Sequence, residues 1–327
     1  MRRRHAALAG IALVGTLAAV QLTGVVLHAL TSDDAATGAG VAAVPALLRA
    51  PGPAQRSVAA YEGAGTWVDT YDTAGDADTA PVTPVAVDVM ADAGVRTLYL
   101  QVARDDGEGA PGLDDPALAA RFLVRAHQRG LRVVGWYLPR FGDVARDLDH
   151  LRSIAAFEVL GHRFDGVAVD IEWTDTVTDP AERSARLVEL SQGMRAGMGA
   201  DALGAIVLPP VQLEVVNPAY WPDFPWAELA PLYDAWLPMG YWTERTVASG
   251  YRDAATYTAE NLNRLHGHLG EDAPVHAIGG LGEETTPDDL AGFVAALGGG
   301  GAVGASIYDW ATFPVEAQRQ LAEALQP

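Results

Sequence analysis

The sequence predicts a (β/α)8 barrel. Three observations carry this expectation: β-like segments alternate eight times with helical ones between residues 64 and 327, capping residues punctuate the series, and the fourth β-like segment ends in two carboxylates. Eight strand–helix units in a span of this length match the count of that fold. An open doubly wound sheet is the competing arrangement, but no Gly-x-Gly-x-x-Gly follows any predicted strand. Neither an internal repeat nor a second-domain boundary is visible.

In chain order the predicted strands are Thr66–Tyr71, Thr97–Ala103, Val133–Leu138, Gly166–Ile171, Ala205–Leu208, Ala235–Tyr241, Val275–Ile278 and Gly304–Tyr308. Each is a short apolar run of strand length. The stretches between them carry apolar residues at helical spacing: Pro84–Ala93, Pro116–Arg129, Val144–His162, Pro180–Gly197, Trp226–Leu232, Ala254–Leu269 and Pro287–Leu297, with Val315–Leu325 closing the series. Asp115-Pro116, Asp179-Pro180 and Thr286-Pro287 each set a capping side chain before a proline at the first helical position. Glu182 and Asp289 follow their caps by three residues, where a carboxylate can return a hydrogen bond. Gly94, Gly130 and Gly270 stand where left-handed caps would end helices.

Ahead of the barrel, Met1-Arg2-Arg3-Arg4-His5 precedes an almost uncharged run, Ala6–Leu30, that ends at Thr31-Ser32-Asp33-Asp34. Its length suits a membrane span of about 20 apolar residues and exceeds the 7–15 typical of a signal-peptide core. Arginines in front and aspartates behind predict a single-pass anchor in the cell membrane, residues 1–31, with the body outside the cytoplasm. A cleaved signal that secretes the body is the alternative, and a buried globular helix is weaker because RRRH has no acids nearby. Residues 32–63 turn to Ala, Gly, Pro and Ser and read as a flexible tether.

Composition narrows the partners. A formal net charge of −20 argues against nucleic acid and against anionic membrane surfaces or acidic polymers. Zero cysteines exclude a disulfide framework, thiolate metal sites and a cysteine nucleophile. The eight histidines form no His-Glu-x-x-His pattern, and no Gly-x-Ser-x-Gly elbow is present. His276 falls inside a strand and reads as a core histidine. Nothing calls for a cofactor.

Chemistry gathers at the predicted strands' C-terminal ends, where barrels of this class carry their sites. In Phe164–Trp173, FDGVAVDIEW, Asp170 and Glu172 alternate in strand phase. They leave one face about 6.5–7 Å apart along the backbone. That suggests a general acid with a helper carboxylate; the bland reading is a pair of strand-capping acids. The other ends supply Tyr71 and Asp72; Gln101 and Arg104; Trp136 and Tyr137; Gln212 and Glu214; Met239, Tyr241 and Trp242; and Tyr308, Asp309 and Trp310. Trp67 and Trp136 read as packing residues or rim residues about equally, since tryptophan is usually buried. Asp309 reads as structural, its parity opposing Tyr308 and Trp310. Acids, amides and aromatic faces on one rim fit a sugar: rings stack on its C–H faces and polar groups bind its hydroxyls.

Asp165-Gly166-Val167-Ala168-Val169-Asp170-Ile171-Glu172 resembles the fourth-strand signature of the family 18 glycoside hydrolases, the chitinase-like group, Asp-Gly-x-Asp-x-Asp-x-Glu. Met239-Gly240-Tyr241 resembles that family's sixth-strand Met-x-Tyr, and Trp310 the tryptophan that floors its site after strand eight. The resemblance implies a (β/α)8 glycosidase in which Glu172 protonates the glycosidic oxygen and Asp170 orients the substrate's acetamido group. In those enzymes that group's oxygen replaces a protein nucleophile. Ala168 stands where the signature has its middle aspartate.

The leading expectation is therefore a retaining glycoside hydrolase acting on extracytoplasmic polysaccharide or cell-wall glycan. Glu172 is its general acid/base and Asp170 its assisting carboxylate, with Tyr71, Asp72, Gln101, Arg104, Tyr137, Gln212, Glu214, Met239, Tyr241, Trp242, Tyr308 and Trp310 as its substrate contacts. A catalytically inactive carbohydrate-binding barrel is the second reading. A hydrolase or lyase holding Mg²⁺ or Ca²⁺ through Asp170, Glu172 and Glu214 is the third.

Overall fold

A computed structural model describes residues 56–74, 81–105 and 109–326. Its centre is eight parallel strands: β1 (Gly63–Val68), β2 (Thr97–Ala103), β3 (Arg132–Tyr137), β4 (Gly166–Ile171), β5 (Leu203–Val207), β6 (Ala235–Pro238), β7 (His276–Leu281) and β8 (Gly304–Tyr308). Their order is β6-β5-β4-β3-β2-β1-β8-β7. Parallel bridges from Trp236 to Val275 and from Met239 to Ile278 bring the two edge strands together. Each strand leads to a helix: α1 (Ala86–Asp92), α2 (Pro116–Gln128), α3 (Val144–Ala156), α4 (Pro180–Met198), α5 (Trp226–Leu229), α6 (Ala254–Leu269), α7 (Pro287–Gly300) and α8 (Val315–Ala324). The fold is the predicted (β/α)8 arrangement.

Capping follows the sequence signals closely. The Asp115 and Asp179 carboxylates accept from the amides of Leu118 and Glu182, each at 2.8 Å. Thr286 and Asp289 form a reciprocal capping box. Glu182 does not return a bond to its cap; it pairs with Arg186 one turn on. Gly94 and Gly130 take left-handed φ values of 82° and 79°, which a side chain would resist.

Strand alternation sorts the core into two layers. Val167, Val169 and Ile171 of β4 point outward into the apolar layer beneath the helices. Ala168 points inward, beside Trp67, Tyr99, Val134, Trp136 and Ile206. Tyr61, fully buried, fills the N-terminal end of the barrel and donates its hydroxyl to the carbonyl of Val167 at 2.9 Å. Gly166, Gly204 and Gly304 lack side chains where Tyr61 sits; a Cβ on any of them would meet it. Residues 56–63 thus belong to the barrel, although their composition continues that of the predicted tether. One buried aromatic ring outweighs a polar, small-residue surrounding.

Other boundaries moved for local reasons. β1 runs Gly63–Val68, because Asp69 then accepts the amides of Tyr71 and Asp72 and folds the chain into a turn. The predicted helix Val144–His162 stops at Ala156. A small antiparallel hairpin follows, Glu158–Val159 with His162–Arg163. Leu160 and Gly161 between them have φ of 51° and 78°, the tight-turn geometry of a two-residue hairpin loop. α5 is only four residues long. The predicted span Met1–Leu30 and most of the tether lie outside the described residues. Among those described, no helix is long and apolar enough to cross a membrane.

Candidate functional site

A cavity of about 260 Å³ opens at the strands' C-terminal ends, lined by Trp67, Asp69, Tyr71, Gln101, Trp136, Leu138, Asp170, Glu172, Ile206, Met239, Tyr241, Ile278 and Tyr308. Each of the eight strands contributes from its inward face or from the residues just past its end, and the carboxylates come from the ends of β1 and β4. A second cavity of about 280 Å³ lies beside it, between the β1 and β2 loops and α2, sharing Tyr71 and Gln101. Only the first gathers three carboxylates with aromatic faces.

Its floor is held by a buried chain of hydrogen bonds. Trp67 Nε1 donates to Ser306 Oγ at 2.8 Å, and Ser306 Oγ lies 3.0 Å from His276 Nε2. His276 Nδ1 is 2.8 Å from the carbonyl of Tyr61. Burial pushes the imidazole down to about 4, so it is neutral. Nδ1–H then donates to Tyr61, and Nε2 accepts from the Ser306 hydroxyl. Trp67 stacks on Tyr99 with centroids 4.3 Å apart and meets Trp136 edge-on at 6.0 Å. Both tryptophans therefore belong to the cavity wall as well as the barrel core.

Asp170 is 6% exposed, and its Oδ1 has no hydrogen-bond partner among the described residues. Burial, then the Glu172 charge, raises its carboxyl well above the ordinary range. Glu172, half-buried at the rim, is raised by burial and by Glu244. Two nearby carboxyls in a desolvated site resist sharing full charge. Tyr241 is raised by burial and by the same acids, so its phenol stays protonated. Its ring leans on Tyr308, 6.0 Å between centroids. Trp136 Nε1 is a second enclosed polar atom without a partner among the described residues.

Asp69 was not among the predicted site residues, yet it lines the cavity and accepts the Tyr308 hydroxyl at 2.7 Å. It shares the phase of Trp67 and Tyr71, a signal available from the sequence once β1 ends at Val68. Behind it, Asp69, Asp72 and Asp309 bring carboxylate oxygens within 4.8 Å of one another, the arrangement among the described residues closest to a cation site. Those oxygens already accept from the amides of Tyr71, Asp72 and Thr312 and from the hydroxyls of Tyr308 and Thr312. Asp309 is thus tied into its own loop.

Burial, with Asp309 and Asp69 adding, pushes the Asp72 carboxyl from 3.8 up to about 7. A folded-state value above the unfolded one stabilises the fold below about pH 4. That contribution is lost as pH rises through 7. Asp72→Asn, which mimics the neutral form, should therefore raise the melting temperature more at pH 8 than at pH 4. Thermal melts across that range check this, and parallel curves for the two proteins would contradict it.

Of the predicted site residues, Asp170, Glu172, Tyr71, Gln101, Met239, Tyr241 and Tyr308 meet at the cavity. The others do not. Tyr137 has the outward phase: it is buried, stacks on His150 and donates to Asp147 at 2.6 Å. Trp242 is fully buried against Phe293 beneath the rim. Trp310 lies past the end of β8 and packs on the outer apolar layer, so it does not floor the site. Gln212 and Glu214 sit on a wide helical turn, Gln212–Val216, after β5. There Gln212 holds Arg245 and Glu214 binds Arg264 and His268. Arg104 pairs with Asp114 and lines the neighbouring cavity, and Asp72 sits behind Asp69. With Glu214 held elsewhere, the predicted Asp170–Glu172–Glu214 ligand set is not assembled.

No protein-family model matches this sequence, and comparison with curated protein sequences finds no match. Solved structures do match. The spore cortex-lytic enzyme SleL of Bacillus cereus superposes with a TM-score of 0.59 at 8% identity, over 81% of this chain and 74% of that one. A chitinase from Chromobacterium violaceum gives 0.55 at 12% identity, over 81% and 98%. A class V chitinase mutant from Cycas revoluta, in complex with (GlcNAc)3, gives 0.57 at 11%, over 80% and 99%. At these identities the likeness is one of fold, and the barrel is chitinase-like in that sense.

Proposed function

We propose that the protein is a glycoside hydrolase in which Glu172 is the general acid/base and Asp170 the assisting carboxylate. The observation that carries this is the raised, closely spaced acid pair in an aromatic-walled cavity at the barrel's C-terminal end. A carboxyl whose affinity for its proton is raised is better suited to carry one to a leaving oxygen. Trp67, Trp136, Tyr71, Tyr241 and Tyr308 offer faces for a sugar ring, and Gln101 an amide for its hydroxyls. The chitinase-like fold of the solved neighbours supports the same class.

The Asp170–Glu172 pair stands where the family 18 signature has its assisting carboxylate and its proton donor, and an internal nucleophile of that kind gives two successive displacements at the anomeric carbon. Hydrolysis should therefore retain configuration. Ala168, buried in the interior, leaves Asp170 without the carboxyl neighbour of the family 18 signature. NMR of the first-formed anomer from a cleaved glycan checks this, and an inverted product would contradict it.

The glycan is extracytoplasmic on this reading, with Met1–Leu30 as the anchor. Fractionation with N-terminal sequencing should find the intact chain in the membrane. A soluble protein starting near Thr31 would mean a cleaved signal.

A further inference from the structure

The charge of the cavity is one-sided. Asp69, Asp170 and Glu172 line it, and no arginine does. The chain contains no lysine at all. Asp72 and Asp309 stand directly behind Asp69, and Glu244 is close enough to raise Glu172. Arginines on the surrounding loops are committed elsewhere: Arg104 to Asp114, Arg245 to Gln212 and Glu244, and Arg140 over the Trp173 ring. Such a pocket disfavours uronic or sulfated sugars, and a carboxyl that ionises in its partly desolvated space attracts a cation more strongly than it would in water.

One member of the set also lacks a partner. Asp170 lines the cavity, is more than nine-tenths buried, and has a free oxygen among the described residues. A buried carboxylate in that position is costly unless a donor, best a cationic one, meets it. The residue two before it on the same face, Ala168, offers none.

We infer that the sugar unit this cavity takes is a cationic amino sugar, its free protonated amine held by Asp170 within the field of Asp69 and Glu172. The inference rests on the glycan reading of the site and narrows it to de-N-acetylated, amine-bearing glycans. An ammonium group satisfies the unpartnered Asp170 oxygen and offsets the mutual repulsion of the acids. A hydroxyl in the same place satisfies only the first need, and an acetamido group brings bulk without charge.

The test compares sugars that differ only at C2. Oligomers of glucosamine and of galactosamine are each matched with their N-acetylated and their hydroxyl counterparts. Binding to the full-length protein in detergent is followed by calorimetry across the mildly acidic to neutral range, in which a protonated amine and an ionised Asp170 can coexist. At least one amine series should bind roughly tenfold or more tighter than both its counterparts, in keeping with a charge-assisted contact. Asp170→Asn should remove most of that preference; if the variant does not fold, the comparison within the native protein decides alone. Equal or tighter binding of the acetylated or hydroxyl series overturns the inference, as does failure of both amine series to bind. Turnover is scored separately. Amine oligomers that bind without being cut leave the inference standing and remove the hydrolase reading, whereas preferential cutting of neutral oligomers does the reverse.

Discussion

Glu172→Gln should lower glycan turnover by at least about a hundredfold, the lower scale of general acid catalysis, with little change in melting temperature. Glutamine keeps the size of the side chain and removes the transferable proton. Burial and the Glu244 charge raise the Glu172 carboxyl above the ordinary range, the direction that favours a proton donor to a leaving oxygen. The side chain sits at the rim, and the Tyr220 hydroxyl donates to the Glu172 backbone carbonyl, not to its carboxyl, at 3.2 Å. The substitution therefore leaves the packing intact. Undiminished turnover in the variant would remove Glu172 from the chemistry.

Asp147→Ala should cost about 3 kcal/mol of stability or more, the scale expected when buried donors lose their acceptor. Asp147 is 1% exposed. Its carboxylate accepts from the Tyr137 hydroxyl at 2.6 Å, from the Phe141 amide at 2.9 Å and from the Arg140 amide at 3.3 Å. Phe141 holds a left-handed φ of 61°, unfavourable for a non-glycine residue without such an anchor. The same loop presents Leu138 to the cavity and stacks Arg140 on Trp173, next to Glu172. Activity should fall together with stability. Asp147→Asn keeps one acceptor oxygen and should cost distinctly less. Chemical denaturation of the three proteins checks the order, and a tolerated alanine would contradict it.

The fourth strand was legible because two signals coincide there: a β-branched run that only a buried strand explains, and acids in one phase of it. Parity would also have told Trp136 from Tyr137 at the end of β3, since Trp136 shares the inward phase of Val134 while Tyr137 faces α3. Parity fails once a strand ends. Tyr241 and Trp242 follow β6, and Trp310 follows β8, through turns whose direction the sequence does not specify. Gln212 and Glu214 were drawn outward by arginines on other elements, Arg245 and Arg264, a long-range pairing with no local signature. Tyr61 was hidden for the opposite reason. A single ring closes the barrel floor, while the residues around it are the small, polar ones of a tether.

Hydrolysis in H₂¹⁸O puts the proposal to its most direct trial. Full-length protein and its Glu172→Gln variant are incubated with the amine, N-acetyl and hydroxyl oligomers, and new reducing ends are read promptly by mass spectrometry. Cleavage through Glu172 predicts ¹⁸O at the anomeric carbon of each new reducing end from the native protein, and roughly a hundredfold fewer such ends from the variant. No new reducing ends from the native protein on any series, or equal release by both proteins, would contradict it.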